Sequence, residues 1–96
     1  MKFDLIKGCF NKDEAMELLT QLLHVKIRFH ENKIRQTSNI EDIEHREQRI
    51  IELQKSLYEI HRLVTNSNEL IELTSQVSIE KRNVKQKASK YNLVSS

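Results

Sequence analysis

Residues 40–73 read IEDIEHREQRIIELQKSLYEIHRLVTNSNELIEL, and the interpretation of this stretch decides the fold. Ile43, Ile50, Leu57, Val64 and Ile71 recur every seven residues; Leu53 and Ile60 lie three places after two of them, and Leu63 and Leu70 one place before two others. Side chains three, four and seven apart stack on one side of an α-helix. The positions between them carry Glu41, Asp42, Glu44, Arg46, Glu47, Arg49, Glu52, Lys55, Glu59 and Arg62, which suit a wet face. The pattern predicts a long amphipathic helix over 40–72 with a coiled-coil-like seam. Such a seam seeks another helix, and helix pairing names no activity.

Working outward, Gln36-Thr37-Ser38-Asn39 is a polar break before this helix, in which Ser38 with Glu41 or Asn39 with Asp42 can form the cap. Upstream, Asn11 followed by Glu14 at the third position has the form of a capping box, and Asp13 and Glu14 suit the positive end of a helix dipole. A first helix is expected over 12–35. One of its stripes is Ala15, Leu18, Leu22, Val25 and Phe29; an adjacent one is Met16, Leu19, Leu23, Ile27 and Ile34. Together they cover more of the circumference than the ~100° that one contact needs, so this helix should touch more than one neighbour. The short connection makes the two helices antiparallel.

The ends read differently. Residues 2–7 predict a short strand with Phe3 and Leu5 on one face, broken at Gly8. Thr65-Asn66-Ser67-Asn68 weakens the second helix because short polar side chains compete for backbone hydrogen bonds, and the seam is expected to resume at Leu70, Ile71 and Leu73. From Thr74 the period falls to two, with Leu73, Ser75, Val77 and Ile79 on one face of a strand over 74–80. A lone strand is unstable, so it needs the N-terminal strand of the same or a neighbouring chain. The fold class expected is mainly α: an antiparallel two-helix hairpin with short terminal strands, assembling into a helical bundle.

Composition agrees with long helices and few loops: no Pro, one Gly, 38% hydrophobic and 31% charged residues in a 96-residue chain. A chain of this length forms one domain and buries a limited fraction of its surface alone. Residues 1–80 hold 11 Lys/Arg against 14 Asp/Glu, a balance of −3, while residues 81–90 add Lys81, Arg82, Lys85, Lys87 and Lys90 with no acid. The domain is thus residues 1–80, and 81–96 is a basic tail expected to be disordered. The single cysteine, Cys9, rules out an intramolecular disulfide and the secreted disulfide-scaffold class. The N-terminal residues lack a signal-peptide apolar core, and no apolar run nears the ~20 residues of a membrane span, so a cytoplasmic protein with no membrane contact is expected.

Gly8-Cys9-Phe10, Glu14-Ala15, Leu18-Leu19, Leu22, Lys26-Ile27, Phe29-His30 and the later Arg46…Arg49-Ile50, with a Ser/Val/Ile-rich strand at 75–79, carry a resemblance. Over residues 3–80 the chain resembles a group of short, uncharacterised bacterial proteins built as a helical hairpin flanked by strands. That resemblance implies an architecture and no activity.

The chemistry-bearing residues give little. His24 and His30 are six apart on different sides of a helix, and His45 and His61 have no ligand spacing around them, so no metal and no cofactor is expected. Cys9 precedes a helix start but has no base nearby in sequence, and no Gly-rich loop could form a phosphate cradle or oxyanion hole, so the chain is not expected to be an enzyme. An inert, partly buried Cys9 is the bland reading. His30 falls within the apolar arc beside Lys26 and Lys33: these either snorkel their polar ends to water, or form a polar cluster with Glu44, Glu47 or Glu52 or a buried ion pair between subunits.

The expected role is a non-catalytic interaction or assembly module, a homodimer or homotetramer with self-association through Leu18, Leu22, Phe29, Ile43, Ile50, Leu57, Ile60, Val64 and Ile71. The alternative is a nucleic-acid-associated factor contacting phosphates through Lys81, Arg82, Lys85, Lys87 and Lys90. A further protein partner is not identified by the sequence.

Overall fold

The computed structural model describes residues 1–83. The element order is β1 (Lys2–Phe10), α1 (Lys12–Gln36), α2 (Ile40–Thr65) and β2 (Ile71–Ser78). The two helices form an antiparallel hairpin, and β1 and β2 of the same chain form a two-stranded antiparallel sheet at its open end. The helices contact mainly each other and the strands mainly each other. The Cα framework measures 51 × 30 × 15 Å, so the molecule is long and thin.

Both helix starts follow the sequence. Asn11 Oδ1 accepts from the Glu14 amide at 2.8 Å, and the Asn11 amide donates to Glu14 Oε1 at 3.3 Å, completing the capping box. Of the two possible caps of α2, Asn39 is the one used: its Oδ1 accepts from the Asp42 amide at 3.0 Å. Each satisfies one of the free amides of a first turn, an interaction worth about 1 kcal/mol.

The end of α2 departs from expectation. The helix stops at Thr65 rather than running to 72. Thr65 Oγ1 donates back to the His61 carbonyl at 2.6 Å, and the Ser67 amide donates to the Val64 carbonyl at 3.2 Å. The polar run Thr65-Asn66-Ser67-Asn68 thus terminates the helix, because its side chains and backbone take over bonds that a further turn would have made. Ile71 and Leu73 leave the helical seam and enter β2.

The sheet corrects three more expectations. Gly8 lies inside β1, paired with Leu73, and does not break the strand. β2 runs Ile71–Ser78, starting earlier than expected. The register passes from Asp4↔Gln76 to Ile6↔Ser75, leaving Leu5 as the extra residue of a β-bulge. Because side-chain direction alternates along a strand, that insertion puts Phe3, rather than Leu5, in line with Val77 and with the Ile6–Phe10 face. One face of the sheet is therefore apolar, with Phe3, Ile6, Phe10, Ile71, Leu73 and Val77; the other carries Lys2, Asp4, Lys7, Glu72, Thr74 and Gln76. The alternation of Leu73, Ser75 and Val77 on the half-buried face follows the sequence pattern.

Between the helices, the buried apolar residues are Ala15, Ile27, Leu53 and Val64. Of the two stripes of α1, the one holding Met16, Leu19, Leu23, Ile27 and Ile34 is buried or half-buried throughout. Val25 and Phe29 of the other stripe stay exposed. On α2 the seven-residue seam drifts across the contact. An ideal helix turns ~20° per heptad relative to a strict seven-residue repeat. Ile43, Ile50 and Leu57 are accordingly half-buried and only Val64 is closed off, while the column Arg46, Leu53 and Ile60 runs along the packed side. An arginine therefore occupies a core position that the sequence pattern assigns to the wet face.

Candidate functional site

The buried polar residues are His30 of α1 and Arg46 of α2, with 0% and 3% of their surfaces exposed. They meet across the interhelical contact near the connecting turn. Arg46 Nη1 lies 3.0 Å from His30 Nδ1, and Arg46 Nε lies 3.1 Å from Asp42 Oδ1. Asp42 sits one helical turn before Arg46, and its own amide is held by the Asn39 cap, so local helix chemistry fixes the carboxylate that orients the guanidinium. The Phe29 ring meets His30 edge-on at 5.5 Å between centroids. Around the same Phe29 ring stand Lys33 Nζ, Lys26 Nζ and Arg46 Cζ at 5.7, 5.8 and 5.9 Å from its centroid.

This geometry assigns the histidine. Arg46 is a permanent donor, so His30 Nδ1 accepts, the ring is neutral, and its proton sits on Nε2. That Nε2–H is buried and has no hydrogen-bond partner. Burial holds the His30 pKa below the ordinary 6.5, and the positive charges of Lys26, Arg46, Arg49 and His45 push the same way. Although the ring has no exposed surface, the framework is 15 Å across its shortest axis, so water lies close beyond the covering side chains.

A pH dependence follows. The unfolded chain takes up a proton on this histidine near its ordinary pKa, and the folded chain only at lower pH. Between those two values the unfolded state binds more protons, so stability falls as pH drops through about 6.5 and levels off below the folded-state value. Thermal melts between about pH 7.5 and 5 should show this loss in the native chain. His30→Asn keeps an oxygen acceptor for Arg46 but cannot titrate, so its melting temperature should vary less over that range. Equal pH dependence in both proteins would refute the assignment.

His30 therefore meets neither Glu44, Glu47 nor Glu52, all of which are exposed, and the polar cluster is completed by Arg46 and Asp42 instead. Lys26 and Lys33 place their ammonium groups over the Phe29 ring, and Lys26 is half-buried. In its closed state the cluster joins two helices; exchange of a proton with an outside molecule would require the ring to be uncovered. Among the described residues no three His, Cys, Asp or Glu side chains come together as a metal site would require. Cys9 is exposed, contrary to the partly buried position expected. An open depression of about 690 Å³ lies at the far end of α2, lined by Glu59, Arg62, Leu63 and residues 66–69, away from the histidine. Among the described residues no helix is long and apolar enough to cross a membrane.

The residues expected to drive self-association divide. Val64 is 2% exposed and spent inside the hairpin, and Ile71 pairs with Phe10 in the sheet rather than extending the seam. Leu18, Leu22, Ile43, Ile50, Leu57 and Ile60 are half-buried, and Phe29 is exposed. Of the basic tail, Lys81 and Arg82 are exposed, with Arg82 Nη2 3.5 Å from Glu80 Oε2; Lys85, Lys87 and Lys90 lie outside the described residues, as does most of the segment expected to be disordered. No family model matches the chain, and none of the curated proteins or solved structures compared with it matches.

Proposed function

We propose that this protein is a non-catalytic assembly module of the cytoplasm, a homodimer or homotetramer in which hairpins combine into a helical bundle. The observation that carries the reading is the imbalance between closed and open apolar surface. Four apolar side chains are buried among the described residues, while Val25, Ile40, Ile51, Tyr58 and Leu63 are 44–74% exposed along the helices. Ile40, Ile51 and Tyr58 share one side of α2, and an exposed apolar strip on a small protein marks an interaction site. The sheet adds to it: a two-stranded ribbon is marginal in water, and its apolar face, with Phe3 38% exposed, gains from a further layer. The resemblance to short bacterial helical-hairpin proteins is part of this proposal and rests on the sequence alone.

The competing role for the basic tail, phosphate binding by Lys81, Arg82, Lys85, Lys87 and Lys90, has no described geometry that favours it. One experiment separates the two. Light scattering across a range of concentrations should give two or four times the 11.4 kDa of one chain, and removal of residues 81–96 should leave that multiple unchanged. A well-folded species of one chain's mass at every concentration would overturn the assembly reading. Salt-dependent binding of DNA or RNA that disappears with the tail would favour the competing one.

A further inference from the structure

The exposed strips on the two helices are complementary to each other. On α1, Leu22, Val25, Lys26, Phe29 and Lys33 follow one another at helical spacing, and Val25 and Phe29 are 54% and 37% exposed. On α2, Ile40, Glu44, Glu47 and Ile51 do the same, and Tyr58 lies one heptad beyond Ile51 past Gln54 and Lys55, with Ile40, Ile51 and Tyr58 at 70%, 44% and 66%. Phe29 is flanked by cations, and Ile51 is preceded at four and seven residues by carboxylates. Glu44 and Glu47 make no ion pair among the described residues, and neither does Lys33. Val25, Ile40, Ile51 and Tyr58 are not part of the buried core of the hairpin, which leaves these apolar side chains open to a second molecule.

We infer that the Leu22–Lys33 strip of one molecule docks the acidic strip of α2 in a second copy of this chain. This rests on the assembly reading above and adds to it the contact surface and its direction. The charges lie in the turn-side half of each strip: Lys26 and Lys33 bracket Phe29 beyond Leu22 and Val25, and Glu44 and Glu47 lie between Ile40 and Ile51, with Tyr58 nearer the sheet. Apolar therefore meets apolar and base meets acid when the α1 of one copy runs antiparallel to the α2 of the other, with both connecting turns at the same end. Exposed ion pairs add little affinity, so the apolar residues supply the attraction and the charges select the partner strip and its register.

Sedimentation equilibrium at low salt tests the contact. Lys26→Glu with Lys33→Glu should weaken association at least about tenfold, as should Glu44→Lys with Glu47→Lys, because each places like charges across the contact. Combining all four substitutions should restore the dissociation constant to within about threefold of the native value. Circular dichroism reports whether each variant remains helical; if the double lysine change does not fold, Lys33→Glu paired with Glu44→Lys replaces it, both positions being exposed. Association unchanged by either reversal, or not restored by their combination, overturns this contact while the assembly reading stands. A native chain that does not associate overturns both.

Discussion

Replacing Arg46 with alanine should cost about 3–5 kcal/mol of folding stability, enough to leave a domain of this size largely unfolded at modest urea. Arg46 is 3% exposed, so water does little to screen its interactions. Three consequences combine. Asp42, with 19% of its side chain exposed, loses its 3.1 Å partner, His30 Nδ1 loses its 3.0 Å donor, and a cavity is left between the helices. His30 would then be buried with both ring nitrogens unsatisfied, since Nε2 already has no partner. Removing both sides of the interaction should be far milder: His30→Leu with Arg46→Met puts apolar side chains where two polar ones met, and should recover most of the lost stability. Urea unfolding of His30→Leu, Arg46→Met and the double variant, alongside Arg46→Ala and at one protein concentration because the native chain is proposed to associate, measures the coupling directly. A coupling near zero, or a loss below about 1 kcal/mol for Arg46→Ala, would mean that the His30–Arg46 pair does not hold the turn end of the hairpin together.

The features set by local chemistry were legible in the sequence. Asn11 with Glu14 specifies its cap over three residues, and of the two pairs the sequence offers before α2, Ser38 with Glu41 and Asn39 with Asp42, the structure uses the second. Alternation at Leu73, Ser75 and Val77 revealed a strand because a period of two survives whatever it packs against. What was not legible depended on partners distant in the chain. The helical period of Leu70, Ile71 and Leu73 fitted α2 as well as β2 until pairing with β1 decided between them. The bulge at Leu5 is invisible locally, since it arises from matching two strands separated by both helices. Arg46 was assigned to water by its residue type, although it lies seven residues before Leu53 and four after Asp42. That spacing is a usable signal: a cation in a buried column, with a carboxylate one turn earlier, points to a buried acceptor on the facing helix, and His30 lies within the apolar arc there beside Lys26 and Lys33.

Leu53 and Ile51 lie two residues apart on one helix, and the fold separates them into different roles. Leu53 is 5% exposed and Ile51 44%. Leu53→Ala should cost about 2–5 kcal/mol, combining the lost transfer energy with the cavity left between α1 and α2. The upper part of that range is expected if the site collapses poorly, as it should where Arg46, one heptad away, is fixed by Asp42 and His30 and cannot shift into the gap. Ile51→Ala removes a side chain that is already nearly half in water, so at concentrations where the chain is dissociated it should cost under about 1 kcal/mol. The order should reverse in association. Ile51→Ala should raise the dissociation constant by about tenfold, as loss of a buried aliphatic anchor does, while Leu53→Ala should change it little in molecules that remain folded. Thermal melts read at several concentrations, with sedimentation on the same samples, give both quantities. If Ile51→Ala destabilises the dissociated chain as much as Leu53→Ala does, its side chain belongs to the core of the hairpin; if it leaves association untouched, the apolar strip from Ile40 to Tyr58 is not the surface through which these molecules meet.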